Sequence, residues 1–379
     1  MKVLCAALLS IYLYGLGPSD VRIIAANSHN SINLPAYSYF TDSTPVIDND
    51  RNIAFNFFAV DGGNIVQGIL LDTKSKSAHA RVILSDNQII NHLNFTSNQL
   101  MFSTHNGAEF VGLYKSSFDG ALNDYSKLLL PEDNYLYVNF ASTSFSQNLV
   151  LRLNNYKYRS LGILSPSGIN TFSIEGEGRI NYVFNPKVSG DFALYKLRYG
   201  RQGEYSNDDL EELRVFNLEK GTHKAILNNK AKFSRLENLY NINNNGSFVA
   251  FAKRGSDKVI VSNINGKNKV ILNIEKHEFI KSVDLFSPAI NNVGDVLVRG
   301  ISRSGRHCLF LYSSSRWHEA ICEGFVITQE NTVYQLSKSS GGQLFKGSVG
   351  LNDHKEIVFN TYLKSGGSTH EGIVYIKVK

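Results

Sequence analysis

The sequence predicts an all-β chain, a β-propeller of about seven blades with some fifty residues in each. Three features predict it: the composition, a polar turn that recurs at a near-constant interval, and a second apolar run behind most copies of that turn. The 379 residues include 23 Phe and 19 Tyr but 2 Met and 1 Trp. Aromatic and β-branched side chains fit the pleated, half-buried surface of a strand. With 42% hydrophobic residues the chain carries enough apolar surface for a large core.

The recurring unit is an Asn/Asp/Gly-rich turn that runs into apolar residues. Asp48-Asn49-Asp50-Arg51-Asn52 precedes Ile53-Ala54-Phe55, Thr96-Ser97-Asn98-Gln99 precedes Leu100-Met101-Phe102, and Ser146-Gln147-Asn148 precedes Leu149-Val150-Leu151. Ser189-Gly190-Asp191 precedes Phe192-Ala193-Leu194, and Asn243-Asn244-Asn245-Gly246 precedes Val249-Ala250-Phe251. Asn291-Asn292-Val293-Gly294 then leads to Val296-Leu297-Val298, and Asn352-Asp353-His354-Lys355 to Ile357-Val358-Phe359. The strands start at 53, 100, 149, 192, 249, 296 and 357, with spacings of 47, 49, 43, 57, 47 and 61; aligning the fifth copy on Gly246 starts it at Phe248. Asn and Gly tolerate the positive φ of a tight turn, so these residue types persist where the rest of the unit drifts. Second strands are expected around 110–114, 161–164, 259–261, 308–311 and 372–375.

Four short strands fill such a unit, and one small sheet buries its faces only by stacking on its neighbours. The last copy ends soon after its second strand. Ring closure therefore needs strands from the N-terminal segment, for which Tyr37 to Phe40 is the candidate. One miscounted copy would make the ring six- or eight-bladed, whereas a β-sandwich array would need longer units. Helical candidates are short: Asp208 to Leu213 and Ala121 to Leu130.

Residues 1–26 read as an export signal and 27–379 as a single propeller domain. Lys2 supplies a positive start, Val3 to Gly15 an apolar run too short to span a bilayer comfortably, and Ala25-Ala26 a small-residue cleavage site with Ile24 at its −3 position. No later stretch is long and apolar enough to cross a membrane, so the expected location is secreted or periplasmic and the expected state monomeric. Two cysteines then remain, Cys308 and Cys322. A hairpin centred on Ser313-Ser314-Ser315 would place them nearly opposite each other, as a disulfide in an oxidising compartment or as two buried thiols. Two ligands are too few for structural zinc, so no metal is expected.

The net charge of +6 is mild, and no Lys/Arg run suggests a nucleic-acid arm. The segment Ile290-Asn291-Asn292-Val293-Gly294-Asp295-Val296-Leu297-Val298 resembles the Asn-x-x-Gly-x-x-x-Phe tandem repeats of secreted bacterial propeller-like proteins and the blade turns of the periplasmic TolB-type propeller. Lys355 and Arg51 stand where that pattern has Gly, and Val298 where it has Phe. The resemblance implies fold and compartment.

No Gly-x-Ser-x-Gly elbow, His-Glu-x-x-His pair or phosphate-binding Gly-Lys-Ser/Thr loop occurs, and no cofactor is implied. Asp48-Asn49-Asp50 lacks the central Gly and distant Glu of a calcium loop and reads as a turn. Candidate ligand-binding residues come from the repeat alignment. Three residues after each strand start stand Asn56, Ser103, Arg152, Tyr195, Ala252, Arg299 and Asn360, and six of the seven can hydrogen-bond. If that strand is the innermost of its blade, these six ring one end of the central channel. Arg152 and Arg299 there would favour an anionic or carboxylate-bearing ligand. The competing reading has them bonding between blades. His105, His307, His318 and His370 lie near presumed turns, and the insertion between Arg201 and Leu213 carries Glu204, Asp208, Asp209, Glu211 and Glu212 on a loop suited to partner contact. Together these features point to a propeller that binds a protein or glycan through one face, with a lyase or hydrolase acting on a polysaccharide or peptide as the alternative.

Overall fold

The computed structural model describes residues 17–27, 32–34, 37–40, 44–61, 63–74, 76–84, 88–96, 99–107, 109–129, 137–142, 149–154, 158–165, 168–264 and 266–379. Met1 to Leu16, with Lys2 and most of the expected leader, and the central residues of the two turns at 97–98 and 146–148, lie outside them. The described strands form seven antiparallel sheets; six are four strands deep from one edge to the other, and the seventh is five. These are the seven blades. The strands that follow the polar turns run Ile53–Asp61, Gln99–Asn106, Leu149–Asn154, Phe192–Tyr199, Phe248–Arg254, Val296–Ser302 and Glu356–Ser365. Every expected start is met within one residue, and the fifth begins at Phe248.

Burial explains why the units must stack. Each of the seven apolar clusters lies between two neighbouring blades. Val249, Phe251 and Ile260 of blade 5, for instance, pack on Val296, Val298 and Phe310 of blade 6. A single blade would leave such faces in water, at about 25 cal/mol for every Å² of apolar surface exposed.

Two expectations about order within the ring are corrected. Blade 7 is closed by Pro18–Ala26, which pairs antiparallel with Ser368–Val378, from Pro18 opposite Val378 to Ala26 opposite Gly372. Tyr39–Phe40 pairs instead with the first post-turn strand, Tyr39 opposite Phe58. Ile23, Ile24, Ala25 and Ala26 are buried, and Ile24 and Ala25 join Ile53, Phe55, Val358 and Tyr375 in the core between blades 7 and 1. Gln329 clamps the strand from the side: its Oε1 accepts from Ile23 N at 2.8 Å and its Nε2 donates to Ile23 O at 3.0 Å. The closing strand thus occupies the last nine residues of the segment that reads as a signal.

The second correction concerns the axis. The post-turn strand is the second of each blade, and the strand before the turn is innermost. Strand edges at 46–47, 187–189, 235–242, 289–290 and 345–351 all precede a turn, and together with 88–96 they supply lining residues of the central channel. Apolar residues alone do not separate a first strand from a second, because both carry them; the first strands are the more exposed, as Lys187–Ser189 is beside Phe192–Tyr199.

The turns themselves form a belt at the inner rim. Asn243 Nδ2 donates to Asn291 O (2.8 Å), Asn291 Nδ2 to Asn352 O (3.1 Å), and Asn352 Nδ2 to Asp48 O (2.9 Å). Asn244 N donates to Asn292 Oδ1, Asn292 N to Asp353 Oδ1, and Asp353 N to Asn49 Oδ1. Ser189 Oγ joins blade 4 to Asn244. The Asn positions therefore do more than permit a turn, since they tie blades 5, 6, 7 and 1 in succession. The fourth turn residue is left-handed whether it is Gly246 (φ 74°), Gly294 (φ 95°), Arg51 (φ 65°) or Lys355 (φ 56°).

Cys308 and Cys322 are paired in register across their hairpin and form a disulfide, with Cα atoms 4.1 Å apart. The two-residue turn Ser314-Ser315 has positive φ at both positions, the type I′ geometry that suits the right-handed twist of a hairpin. Neither helical candidate is helical. Leu210–Asn217 and Ser126–Leu129 are strands, and the one helical segment among the described residues is a 3₁₀ turn at Glu177–Arg179.

Candidate functional site

A channel of about 770 Å³ runs along the axis of the ring. Its cationic lining residues are Lys187 and Arg152, with His92 beside them, and its amides are Asn94, Asn185, Asn238 and Asn241; among the described lining residues none is acidic. Lys187 enters at the inner edge of blade 4, two residues before the turn. It makes no ion pair or hydrogen bond with another described residue, and the surrounding wall holds its ammonium below the usual lysine pKa by desolvation. A wall of one charge sign with low-dielectric flanks concentrates the field along the channel.

Of the six residues expected to ring the channel mouth, Arg152 alone lines the channel. Arg152 and two of the others show why the alignment picked them out. Asn56 Nδ2 donates to Ile90 O of blade 2 at 3.0 Å, Arg152 Nε to Val183 O of blade 4 at 3.0 Å, and Arg299 Nη1 to Gly347 O of blade 7 at 2.5 Å. Each reaches a backbone carbonyl on the first strand of the next blade, so this repeat position couples neighbouring blades. Arg299 is further consumed by Asp284, at 2.7 Å, and stacks 3.9 Å over Phe286. Ser103 and Asn360 are fully buried inside blades 2 and 7. Tyr195 points towards the outer blade, where its hydroxyl meets His223 Nδ1 at 2.8 Å.

Arg152 also donates to Asn185 Oδ1 (2.8 Å) and to the Tyr182 hydroxyl (3.4 Å), which positions Asn185 beside Lys187. The aromatic rings of the wall carry cations or are buried. Tyr182 carries the guanidinium groups of Arg159 and Arg198 at 4.4 and 5.2 Å, Phe184 the Lys196 ammonium at 4.2 Å, and Tyr240 is buried with its hydroxyl on Asn185 O at 2.5 Å.

Three of the five acidic residues of the insertion are spent on the fold, while Glu204 and Asp208 are exposed. Glu211 binds the buried Lys196 ammonium at 2.9 Å and accepts from Leu236 N, Glu212 pairs with Arg214 at 2.7 Å, and Asp209 accepts from Asn181. The histidines do not converge. Among the described residues, the one group with metal-ligand spacing is Cys308, Cys322 and Glu319, whose two sulfurs are already bonded to each other. Buried His105 is held neutral, its pKa lowered to about 4 by desolvation.

The residues missed from the sequence, Lys187 and the Asn group, sit on the strand before each turn. The signal that locates them is the turn itself read backwards: Val46-Ile47, Lys187-Val188, Asn241-Ile242, Ala289-Ile290 and Gly350-Leu351 all end within two residues of it.

No family model matches the sequence, and no curated protein matches it. Solved structures do. The β-propeller domain of the Trilobed protease from Pyrococcus furiosus superposes with a TM-score of 0.57 at 8% identity, covering 89% of this chain and 95% of that one. An oligogalacturonate lyase in complex with manganese superposes at 0.55 and 9% identity over 96% of this chain and 92% of the other. The acylaminoacyl peptidase of Pyrococcus horikoshii does so at 0.55 and 11% identity over 88% of this chain, which spans 52% of the peptidase. TolB from Acinetobacter baumannii gives 0.36 at 10% identity, which adds nothing to the assignment. The class defined by fold and likeness is the seven-bladed β-propeller. The Pyrococcus furiosus domain is described as having an open velcro topology, whereas here the first and last described strands pair within one blade.

Proposed function

We propose that this chain is an exported propeller that binds a macromolecular partner, protein or glycan, through the channel-bearing face of its ring. The observation that carries the reading is the channel: its described wall is rich in amides and carries two cations, it is open to solvent, and the Lys187 ammonium is uncommitted to any described partner. The Cys308–Cys322 disulfide supports an oxidising compartment, and among the described residues no helix is long and apolar enough to cross a membrane. If a leader is removed, we place the cut ahead of the closing strand, where Gly15, Gly17 and Ser19 supply small residues, rather than after Ala26. The propeller then runs from about Pro18 to Lys379.

The test is affinity capture from envelope and extracellular extracts with the chain from Pro18 as bait. Two variants run beside it: Asn238→Trp, which fills the channel from an exposed wall position, and Lys224→Trp on the outermost strand of blade 4. The expected result is a saturable partner lost with Asn238→Trp and kept with Lys224→Trp. No saturable partner, or loss with the outer variant alone, would overturn the reading. Turnover of an extract polysaccharide or peptide without stable capture would establish the enzyme alternative in its place.

A further inference from the structure

We propose that the central channel takes an acidic peptide segment, one of whose carboxylates pairs with Lys187. The inference rests on the binding reading above and names the ligand of that same site. Three features of the wall select this chemistry.

The first is charge. Lys187 and Arg152 line the channel with no acidic residue among the described lining, so the described wall favours an entering anion. The cations differ in availability. Arg152 holds Val183 O, Asn185 Oδ1 and the Tyr182 hydroxyl, and Arg299, the other arginine of the repeat, is neutralised by Asp284 outside the channel lining. Lys187 bonds to no described group. A half-buried ammonium with no described counter-ion is available to pair with an incoming carboxylate.

The second is the amide set. Asn94, Asn185, Asn238 and Asn241 offer donors and acceptors together, which suits a peptide backbone that presents both. Between them the wall is apolar, with Val46, Val188, Ile242 and Val349 among the lining residues, so uncharged side chains of the segment also find contacts.

The third feature decides between a peptide and an acidic sugar. Pyranose rings bind by stacking on open aromatic faces, and each aromatic ring of the described lining either carries a cation against it or is buried. Arg159 and Arg198 cover Tyr182, Lys196 covers Phe184, and Tyr240 is buried. The volume of about 770 Å³ lies within the range of a site for a ligand of a few residues.

The experiment titrates the chain from Pro18 with fluorescently labelled hexaglutamate, hexaglutamine and hexagalacturonate, for the native protein, Lys187→Ala and Lys187→Arg. Melting curves check that each variant is folded; Lys187 has no structural partner, so both substitutions are expected to keep the native transition. Hexaglutamate is expected to bind, at least tenfold more weakly to Lys187→Ala, with most of the affinity restored by Lys187→Arg. Hexaglutamine is expected not to bind, and hexagalacturonate to bind more weakly than hexaglutamate. Equal hexaglutamate affinity for native protein and Lys187→Ala, no binding to native protein, or tighter binding of hexagalacturonate would each overturn the proposal. Its failure is separable from that of the binding reading. A captured partner that hexaglutamate cannot displace and that Lys187→Ala still retains sinks the acidic-peptide assignment and leaves the binding propeller standing. Hexaglutamate binding without any captured partner does the reverse.

Discussion

Blade 7 is fastened to blade 1 at two places, and the two fastenings are built on opposite principles. At the outer edge Pro18–Ala26 pairs with Ser368–Val378 through main-chain hydrogen bonds, while Ile24 and Ala25 fill the core between the two blades. At the inner rim Asn352 and Asp353 reach Asp48 and Asn49 with side chains, continuing a belt that also joins blades 4, 5 and 6. The outer fastening joins residues about 350 positions apart and uses almost any apolar sequence. The inner one repeats a specific residue type in copy after copy. The difference teaches where stability and specificity sit: burial at the outer edge closes the ring, and the belt sets how each blade meets the next.

The largest effect expected from breaking this arrangement is loss of the outer strand. A chain that begins at Asn27 loses the burial of Ile23 and Ile24 and exposes the edge of Ser368–Val378. The cost is more than about 5 kcal/mol, comparable with the whole margin of a folded domain. Its thermal transition should broaden or vanish, while a chain that begins at Pro18 keeps the transition of the full chain. The Cys308–Cys322 staple lies inside one blade and closes a loop of sequence separation 14. Cys308→Ala with Cys322→Ala should cost about 3 kcal/mol by urea melting, without opening the ring.

The belt supplies the next effect. Asn352 is buried, donates to Asp48 O and Glu356, and accepts from His354 N and Glu356 N. Asn352→Ala leaves these groups without partners, at about 2 kcal/mol. Asn243→Ala in blade 5 removes the same kind of bond away from the closure. The account expects Asn352→Ala to be the more damaging of the two in a chain lacking the outer strand, where the belt alone joins blades 7 and 1; comparing their urea midpoints in both backgrounds measures this. The smallest effect is a gain. Lys355 stands in a left-handed conformation that glycine adopts without strain, so Lys355→Gly should add about 0.5–1 kcal/mol, readable as a higher urea midpoint.

The same contrast explains what the sequence made legible. Turn chemistry is local, so the post-turn strands were placed within a residue, and Cys308 and Cys322 fell opposite each other because their hairpin turns at Ser314-Ser315. Distance from the axis is not local. Both strands carry apolar residues, so the repeat position of Asn56, Arg152 and Arg299 reads as facing the axis; Asn56 and Arg299 instead hold the next blade, and Arg152 does so while also lining the channel. Lys187 was passed over because one lysine before a turn has no pattern to distinguish it. Pro18–Ala26 was hidden for a similar reason, since an apolar run ending in Ala25-Ala26 carries the same composition whether it is a leader or a buried strand. Asp208 to Leu213 misled in the opposite way: its acidic residues looked exposed, yet Glu211 faces a buried lysine on a neighbouring strand.

The central claim is that the ring is closed by its first described strand. Amide hydrogen exchange on the chain from Pro18 tests it most directly, because main-chain pairing is what exchange reads. The account predicts that the amides of Val21 to Ala26 are protected to the same degree as those of Ile373 to Val378. Free exchange at 21–26 beside strong protection at 373–378 would contradict it.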